Sequence, residues 1–192
     1  MSTDDCTLII PASGFSVRFG EHDKLLADFN GSPLAAYAAQ RAVDAGFTKM
    51  IAVVPKNHHA RAQIFASRGF QLVENTAPEL GQANSIQLGF DAIDKPVKAV
   101  CIMLADMPLV PPSHIHALVT AAPENGVIKT LYEGYTQPPA VFTGTALQKW
   151  IGSGRTGNSS NGLALTEVLQ LEAPLGADVD TPKDLELLSA TV

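Results

Sequence analysis

The sequence predicts an α/β domain on a largely parallel sheet, and two features carry that prediction. Short β-rich apolar runs alternate along the chain with amphipathic stretches of helical length. The most apolar of those runs, Val97 to Leu104, is hydrophobic almost continuously, as a central strand buried on both faces requires.

The first strand is read over Cys6 to Ile10, followed by a glycine-containing loop from Pro11 to about Lys24. Asn30-Gly31-Ser32 is a turn, and Ser32-Pro33 opens a helix as cap and first helical residue, running to Ala45-Gly46. A second strand covers Lys49 to Val54, a second helix Asn57 to Arg68, and a third strand Phe70 to Val73. Gly81 to Ile93 reads as a helix with Ile86, Phe90 and Ile93 on one face. The central strand then ends in Ala105-Asp106-Met107-Pro108. After Pro111-Pro112 comes a helix to about Ala122 and a strand near Val127 to Leu131. Tyr132 to Gly162 is the least regular stretch, expected to form a strand, a short helix and a mobile loop from Gly152. Ala177 to Asp180 is expected to end the last strand, with Thr181 capping a final helix, Pro182 opening it and Asp184 as the capping acid. No repeat or linker interrupts this order, so residues 1–192 are expected to form a single domain.

A hydrophobic content of 46% with 17% charged residues excludes a disordered or fibrous chain. The net charge of −6 argues against nucleic acid or an anionic membrane as partner, yet leaves room for a polyanion wherever a few cations converge. Cys6 and Cys101 both lie in apolar runs and read as reduced core residues. The acidic opening and the short apolar run after it predict no secretory leader, and no apolar stretch reaches membrane-span length, so a cytoplasmic protein is expected.

The first loop carries the first chemical signal. Ala12, Ser13 and Gly14 are small enough to let backbone amides approach a ligand, Arg18 offers a guanidinium fork and Lys24 a mobile point charge. That combination suits a triphosphate that must lose pyrophosphate. A structural loop with solvated basic side chains has the same pattern, and neither the Walker nor the dinucleotide glycine motif is present.

Carboxylates give the second signal. Asp106 follows the most buried strand, at the carboxyl edge of the sheet where open α/β folds bind ligands. A carboxylate there can hold Mg²⁺ against phosphate oxygens. Asp180 is expected at the equivalent end of the last strand, with Asp178 two residues earlier on the same side. A turn aspartate at 106 and a solvated strand-to-helix connection at 178–180 are the structural alternatives.

In order, Ala12-x-Gly14-x-Ser16-x-Arg18-x-Gly20-x-x-x-Lys24, Gly81-x-x-x-Ser85, Leu104-Ala-Asp106-Met-Pro108 and Asp178-Val-Asp180-Thr-Pro-x-Asp184 resemble the MobA-like NTP transferases. These are the guanylyl- and cytidylyltransferases of molybdenum-cofactor maturation, related to the cytidylyltransferases of isoprenoid and sugar-nucleotide synthesis. The resemblance implies a Rossmann-like three-layer sandwich of the glycosyltransferase-A type, the fold of the nucleotide-diphospho-sugar transferases. It implies that Pro11, Ala12, Ser13 and Gly14 contact the nucleotide, with Arg18 and Lys24 on its triphosphate and Gly81 and Ser85 flanking base or ribose. It further implies Mg²⁺ on Asp106 and Asp180, with Arg18, Lys24 and Asp106 as the catalytic set.

The implied reaction moves a nucleotidyl group from CTP or GTP to a small phosphorylated acceptor, molybdopterin among them, in a monomer or homodimer. The chain departs from the family pattern in the acceptor half. Tyr135-Thr-Gln137-Pro-Pro139 lacks the family's Gly-His-Pro, and Gly154-Arg155-Thr-Gly157-Asn158 replaces its Gly-Asp-x-Gly-Ala-Arg. Gln137, Arg155 and Asp178 are the candidate acceptor contacts, with Arg155 either reaching an acceptor phosphate or standing solvated in a surface loop. A methylerythritol-phosphate or sugar-phosphate cytidylyltransferase and a non-catalytic nucleotide-binding module remain as alternatives. The pairs His58-His59 and His114-x-His116 are expected to be solvated surface histidines, His22 to have little part in the loop, and Trp150 to pack in the core.

Overall fold

The computed structural model describes residues 1–20, 22–94, 96–152 and 165–191. In chain order its strands and helices are β1 (Cys6–Pro11), β2 (Asp28–Phe29), β3 (Ser32–Pro33), α1 (Leu34–Asp44), β4 (Met50–Pro55), α2 (His59–Ala66), β5 (Gln71–Asn75), α3 (Gly81–Asp91), β6 (Ala99–Ile102) and α4 (Pro112–Ala121). Then follow β7 (Val127–Tyr132), β8 (Tyr135–Thr143), α5 (Gly144–Gly152), β9 (Glu167–Gln170) and α6 (Pro182–Ser189).

Seven strands form one sheet in the order β5-β4-β1-β6-β8-β7-β9. β1 pairs in parallel with β4 and β6, β4 with β5, and β7 with β9, while β8 runs antiparallel to both its neighbours. The period of two along β1 explains the layers. Leu8 and Ile10 point into a core with Ala38 of α1, Phe65 of α2 and Leu118 of α4. Ile9 points the other way, with Ile86 and Phe90 of α3 and Trp150 of α5. Helices thus cover both faces, as the expected three-layer sandwich requires. The α3 layer sits very close: a Cβ on Gly89 would stand 2.6 Å from Ile9 Cγ2. A third cluster of Phe29, Leu34, Val179 and Leu188 joins α6 to the β2–β3 hairpin and α1.

The sequence reading needs three corrections. Ser32-Pro33 does not start a helix: Ser32 pairs with Phe29 in the hairpin, and α1 begins at Leu34 without a side-chain cap. Ala177 to Asp180 is not the end of a strand, so Asp178 and Asp180 are not strand-end carboxylates. The last strand of the sheet is β9, and Pro174 and Gly176 intervene before an extended segment whose Val179 N–H donates to Asp106 O at 2.9 Å. The irregular stretch after Tyr132 holds the expected strand and short helix, β8 and α5, and β8 is long and largely buried. His114 is buried, hydrogen-bonded through Nε2 to Thr130 Oγ1 at 3.0 Å, and His58 caps α2 by accepting from Arg61 N–H. The capping box of Thr181 and Asp184 on α6 is present as expected. The loop from Gly152 to Gly162, with Arg155, lies mostly outside the described residues, and Arg155 wholly so.

Candidate active site

At the carboxyl ends of β1 and β6 a cleft of about 440 Å³ opens between the first loop and the N-terminal turn of α3. Pro11, Ala12, Ser13 and Gly14 form one wall, and Gly81 and Ser85 the other. Arg18, Lys24, Asp106 and Asp180 line it as well, so residues far apart in sequence converge there. Asp178 and Gln137 do not line this cleft.

The first loop is shaped for approach rather than packing. A Cβ on Gly14 would meet nothing within 4 Å, and its φ is not in the left-handed region, so the fold itself does not demand glycine there. Gly81 differs: its φ of +83° requires glycine where the chain turns into α3. The dipole of α3, whose first turn lines the cleft at Gly81, Gln82 and Ser85, favours an anion there.

A buried polar network fixes the two serines. Ser13 Oγ and Ser85 Oγ lie 2.6 Å apart, and Asn75 Nδ2 donates to both at 2.9 and 3.1 Å. Asn75 Oδ1 in turn accepts from Ala77 N–H and Asn84 Nδ2. The sequence reading named the serines but missed Asn75, which lies at the end of β5 with no motif around it.

Arg61 was missed too, though a signal existed: it stands four residues before Phe65, on the buried face of α2. It is only 3% exposed. Its Nη1 donates to Ala12 O at 2.8 Å and Gly14 O at 2.9 Å, and its Nε and Nη2 grip the Asp23 carboxylate at 2.7 Å each. Asp23 caps the 3₁₀ turn that carries Lys24, accepting from Leu25 N–H, and His58 Nε2 stands 3.2 Å from it. One guanidinium therefore ties both ends of the loop to α2.

Lys24 and the aspartates make the charged centre. Lys24 Nζ donates to Asp106 Oδ2 at 2.6 Å, to Val179 O at 2.9 Å and to Asp180 Oδ1 at 3.2 Å. Burial works against the charge of the ammonium, but Asp106 and Asp180 outweigh it and hold Lys24 above its ordinary value. Arg18 reaches over to Asp180 from solvent, its side chain 74% exposed, so this pair adds little stability. Asp178 is pushed up from the usual carboxylate value by partial burial and by the charges of Asp106 and Asp180, with Lys24 offsetting part.

Asp106 Oδ1 is buried and accepts nothing. A second carboxylate, Asp180, stands across the same ammonium. Mg²⁺ needs only one or two carboxylates beside waters and phosphates, so this donor set fits it. Among the described residues no group of three or more His, Cys, Asp or Glu is poised to hold a metal without help from a ligand.

A second cavity of about 400 Å³ adjoins the cleft, sharing Gln82 and Leu104 with it, and it contains Gln137. Gln137 Nε2 donates to Gly176 O at 2.6 Å. Trp150 borders this cavity and packs on Phe142 and Phe90, with ring centroids 3.9 and 4.9 Å away. Cys6 and Cys101 are buried free thiols, Cys6 pushed up to about 12 by burial, so neither serves as a nucleophile. No described helix is long and apolar enough to cross a membrane.

The profile of the MobA-like NTP transferase domain matches residues 8–160. A phosphoenolpyruvate guanylyltransferase of Sphaerobacter thermophilus is 32% identical over 120 residues, covering 58% of this chain and 57% of the relative. The chain thus spans little more than half the length of that relative. Among solved structures, Rv0371c from Mycobacterium tuberculosis superposes with a TM-score of 0.81 at 19% identity, covering 98% of this chain and all of that one. The 4-diphosphocytidyl-2C-methyl-D-erythritol synthase of Anaerococcus prevotii gives 0.79 at 13% identity, over 98% of this chain and 96% of the other. At these identities the structures speak for the fold, which is that of Rossmann-like nucleotidyltransferases.

Proposed function

Since the chain belongs to the MobA-like NTP transferase family, we propose that it transfers a nucleotidyl group from an NTP, GTP or CTP, to a small phosphorylated acceptor in a Mg²⁺-dependent reaction. The observation that carries the reading is the convergence of Arg18, Lys24, Asp106 and Asp180 with the open Gly14 wall in one cleft. The name of the Sphaerobacter relative pairs guanylyl transfer with a small phosphorylated acid and supports the same class.

In this reaction an oxygen of the acceptor phosphate forms a bond to the α-phosphorus. The bond from that phosphorus to the oxygen bridging toward the β-phosphate breaks, and pyrophosphate leaves with the electron pair. Asp106 and Asp180 would hold Mg²⁺, which when bound supplies charge neutralisation for the phosphates. Arg18 and Lys24 offset the charge that builds on the leaving group. The rigid serine–asparagine network and the α3 N-terminus hold the nucleotide in place, which is where such catalysis draws most of its power. An acceptor phosphate is already ionised at neutral pH, so no protein nucleophile and no strong general base are required.

The test is a screen of the four NTPs against phosphorylated acceptors, phosphoenolpyruvate, methylerythritol phosphate and molybdopterin among them, for pyrophosphate release with and without Mg²⁺. Release that needs one NTP, one acceptor and the metal together supports the reading. Tight NTP binding with no release from any acceptor would leave a nucleotide-binding module in its place.

A further inference from the structure

The second cavity has a chemistry of its own. Its floor is apolar, built from Ile86, Ile102, Ala140 and Phe142 with Trp150 at one side, and Gln82 and Leu104 form the wall shared with the nucleotide cleft. Among the described residues one cation enters it, Lys129. Lys129 sits opposite Ala140 in the β7–β8 register, and Val127, two residues earlier on β7, packs beside Phe142 on that same face of the sheet. Ile128 and Thr130 point the other way, Ile128 into the α4 core and Thr130 onto His114.

Lys129 has no ion-pair partner among the described residues, and it is half-buried. Burial alone pushes its ammonium down from the ordinary value, with no carboxylate to support the charge. A desolvated cation without a counter-charge is costly and calls for an anion. By contrast Lys24, the other half-buried lysine of this region, is held by two carboxylates.

We propose that this cavity is the acceptor subsite and that Lys129 selects acceptors carrying a carboxylate in addition to the phosphate. The inference rests on the nucleotidyl-transfer reading for the identity of the second substrate. The acceptor phosphate faces the shared wall at Gln82 and Leu104, the carbon skeleton lies on the apolar floor, and the carboxylate pairs with Lys129.

The pocket supplies its own reporter, because Trp150 is the single tryptophan of the chain and borders it. Trp150 fluorescence is titrated with 3-phosphoglycerate and phosphoenolpyruvate, and with glycerol 3-phosphate and propyl phosphate, which keep the phosphate and lack the carboxylate. The same four compounds are tested for pyrophosphate release with the preferred NTP. The wild type is expected to bind the acids about tenfold or more tighter than the matched compounds, the scale of one charge-assisted contact. Lys129→Gln is expected to erase that preference, leave NTP affinity unchanged and keep the native thermal transition.

Equal affinity across the pairs, no fluorescence response to any of the four, or an equal loss of NTP affinity in Lys129→Gln would overturn the inference. Acid-selective binding that depends on Lys129, without pyrophosphate release, would uphold the subsite and count against nucleotidyl transfer. Release that ignores both the carboxylate and Lys129 would do the reverse.

Discussion

Replacing Arg61 with methionine keeps the aliphatic stem on α2 and removes the guanidinium that joins α2 to the first loop. Four donations vanish together: two to the Asp23 carboxylate at 2.7 Å, and one each to Ala12 O and Gly14 O at 2.8 and 2.9 Å. Asp23 is then left as a mostly buried carboxylate, its side chain 18% exposed, with only Leu25 N–H and His58 nearby. Breaking a buried pair from one side costs about 3–5 kcal/mol. Since water reaches Asp23 in part, the lower end applies, about 3 kcal/mol, which at this chain length lowers Tm by roughly 6–12 °C. The assay is urea unfolding of wild type, Arg61→Met, Asp23→Asn and the double variant, with NTP affinity measured on each. The pair is expected to couple by more than about 1 kcal/mol, and NTP affinity to fall with loss of loop geometry. A stability loss below about 1 kcal/mol, or a full loss with unchanged NTP affinity, would refute the idea that Arg61 shapes the loop.

Three further outcomes follow from the same geometry. Gly14→Ala leaves the fold intact or gains about 0.4–1 kcal/mol from a stiffer unfolded chain, yet weakens NTP binding because the new methyl stands in the cleft. Unchanged affinity in an equilibrium titration would show that the nucleotide does not pass Gly14. Asp106→Asn abolishes the Mg²⁺ dependence of NTP binding and lowers turnover by about a hundredfold or more, the scale of losing one preorganised charge; wild-type metal dependence by calorimetry would rule Asp106 out as ligand. Lys24 has a folded value above its ordinary one, so its contribution to stability is complete below about pH 10.4 and is lost as pH rises through the folded value. The stability gap between wild type and Lys24→Met therefore persists through neutral pH and closes on the alkaline side; a gap that closes between pH 6 and 8 contradicts the assigned pairing.

The sheet was legible because its strands carry their own signal: β1 and β6 are buried on both faces and read as continuous apolar runs. Asp106 was legible for the same reason, since the end of a buried strand marks the ligand-binding edge. The 177–180 segment misled because an extended backbone anchored by Val179 looks like a strand in sequence, yet its hydrogen bond goes to the loop at Asp106 rather than to a ladder. Arg61, Asn75 and Lys129 were missed because each acts through partners outside its own element, at Ala12, Ser13 and the β8 face respectively. Lys129 in particular looks like a surface lysine until the register of β7 turns it toward Ala140. The sequence pattern treats the two positive charges of the loop alike; in the structure Arg18 stands largely in solvent, whereas Lys24 is locked between carboxylates.

The central claim is that one cleft moves a nucleotidyl group without breaking it free. A single-turnover reaction with NTP labelled at the α-phosphate, enzyme in excess, Mg²⁺ and the acceptor selected by the screen measures this directly. The label is expected on the acceptor with one pyrophosphate per transfer, and to remain in NTP with Asp106→Asn. Label released as free nucleoside monophosphate, or transfer that proceeds equally with Asp106→Asn, would contradict the account.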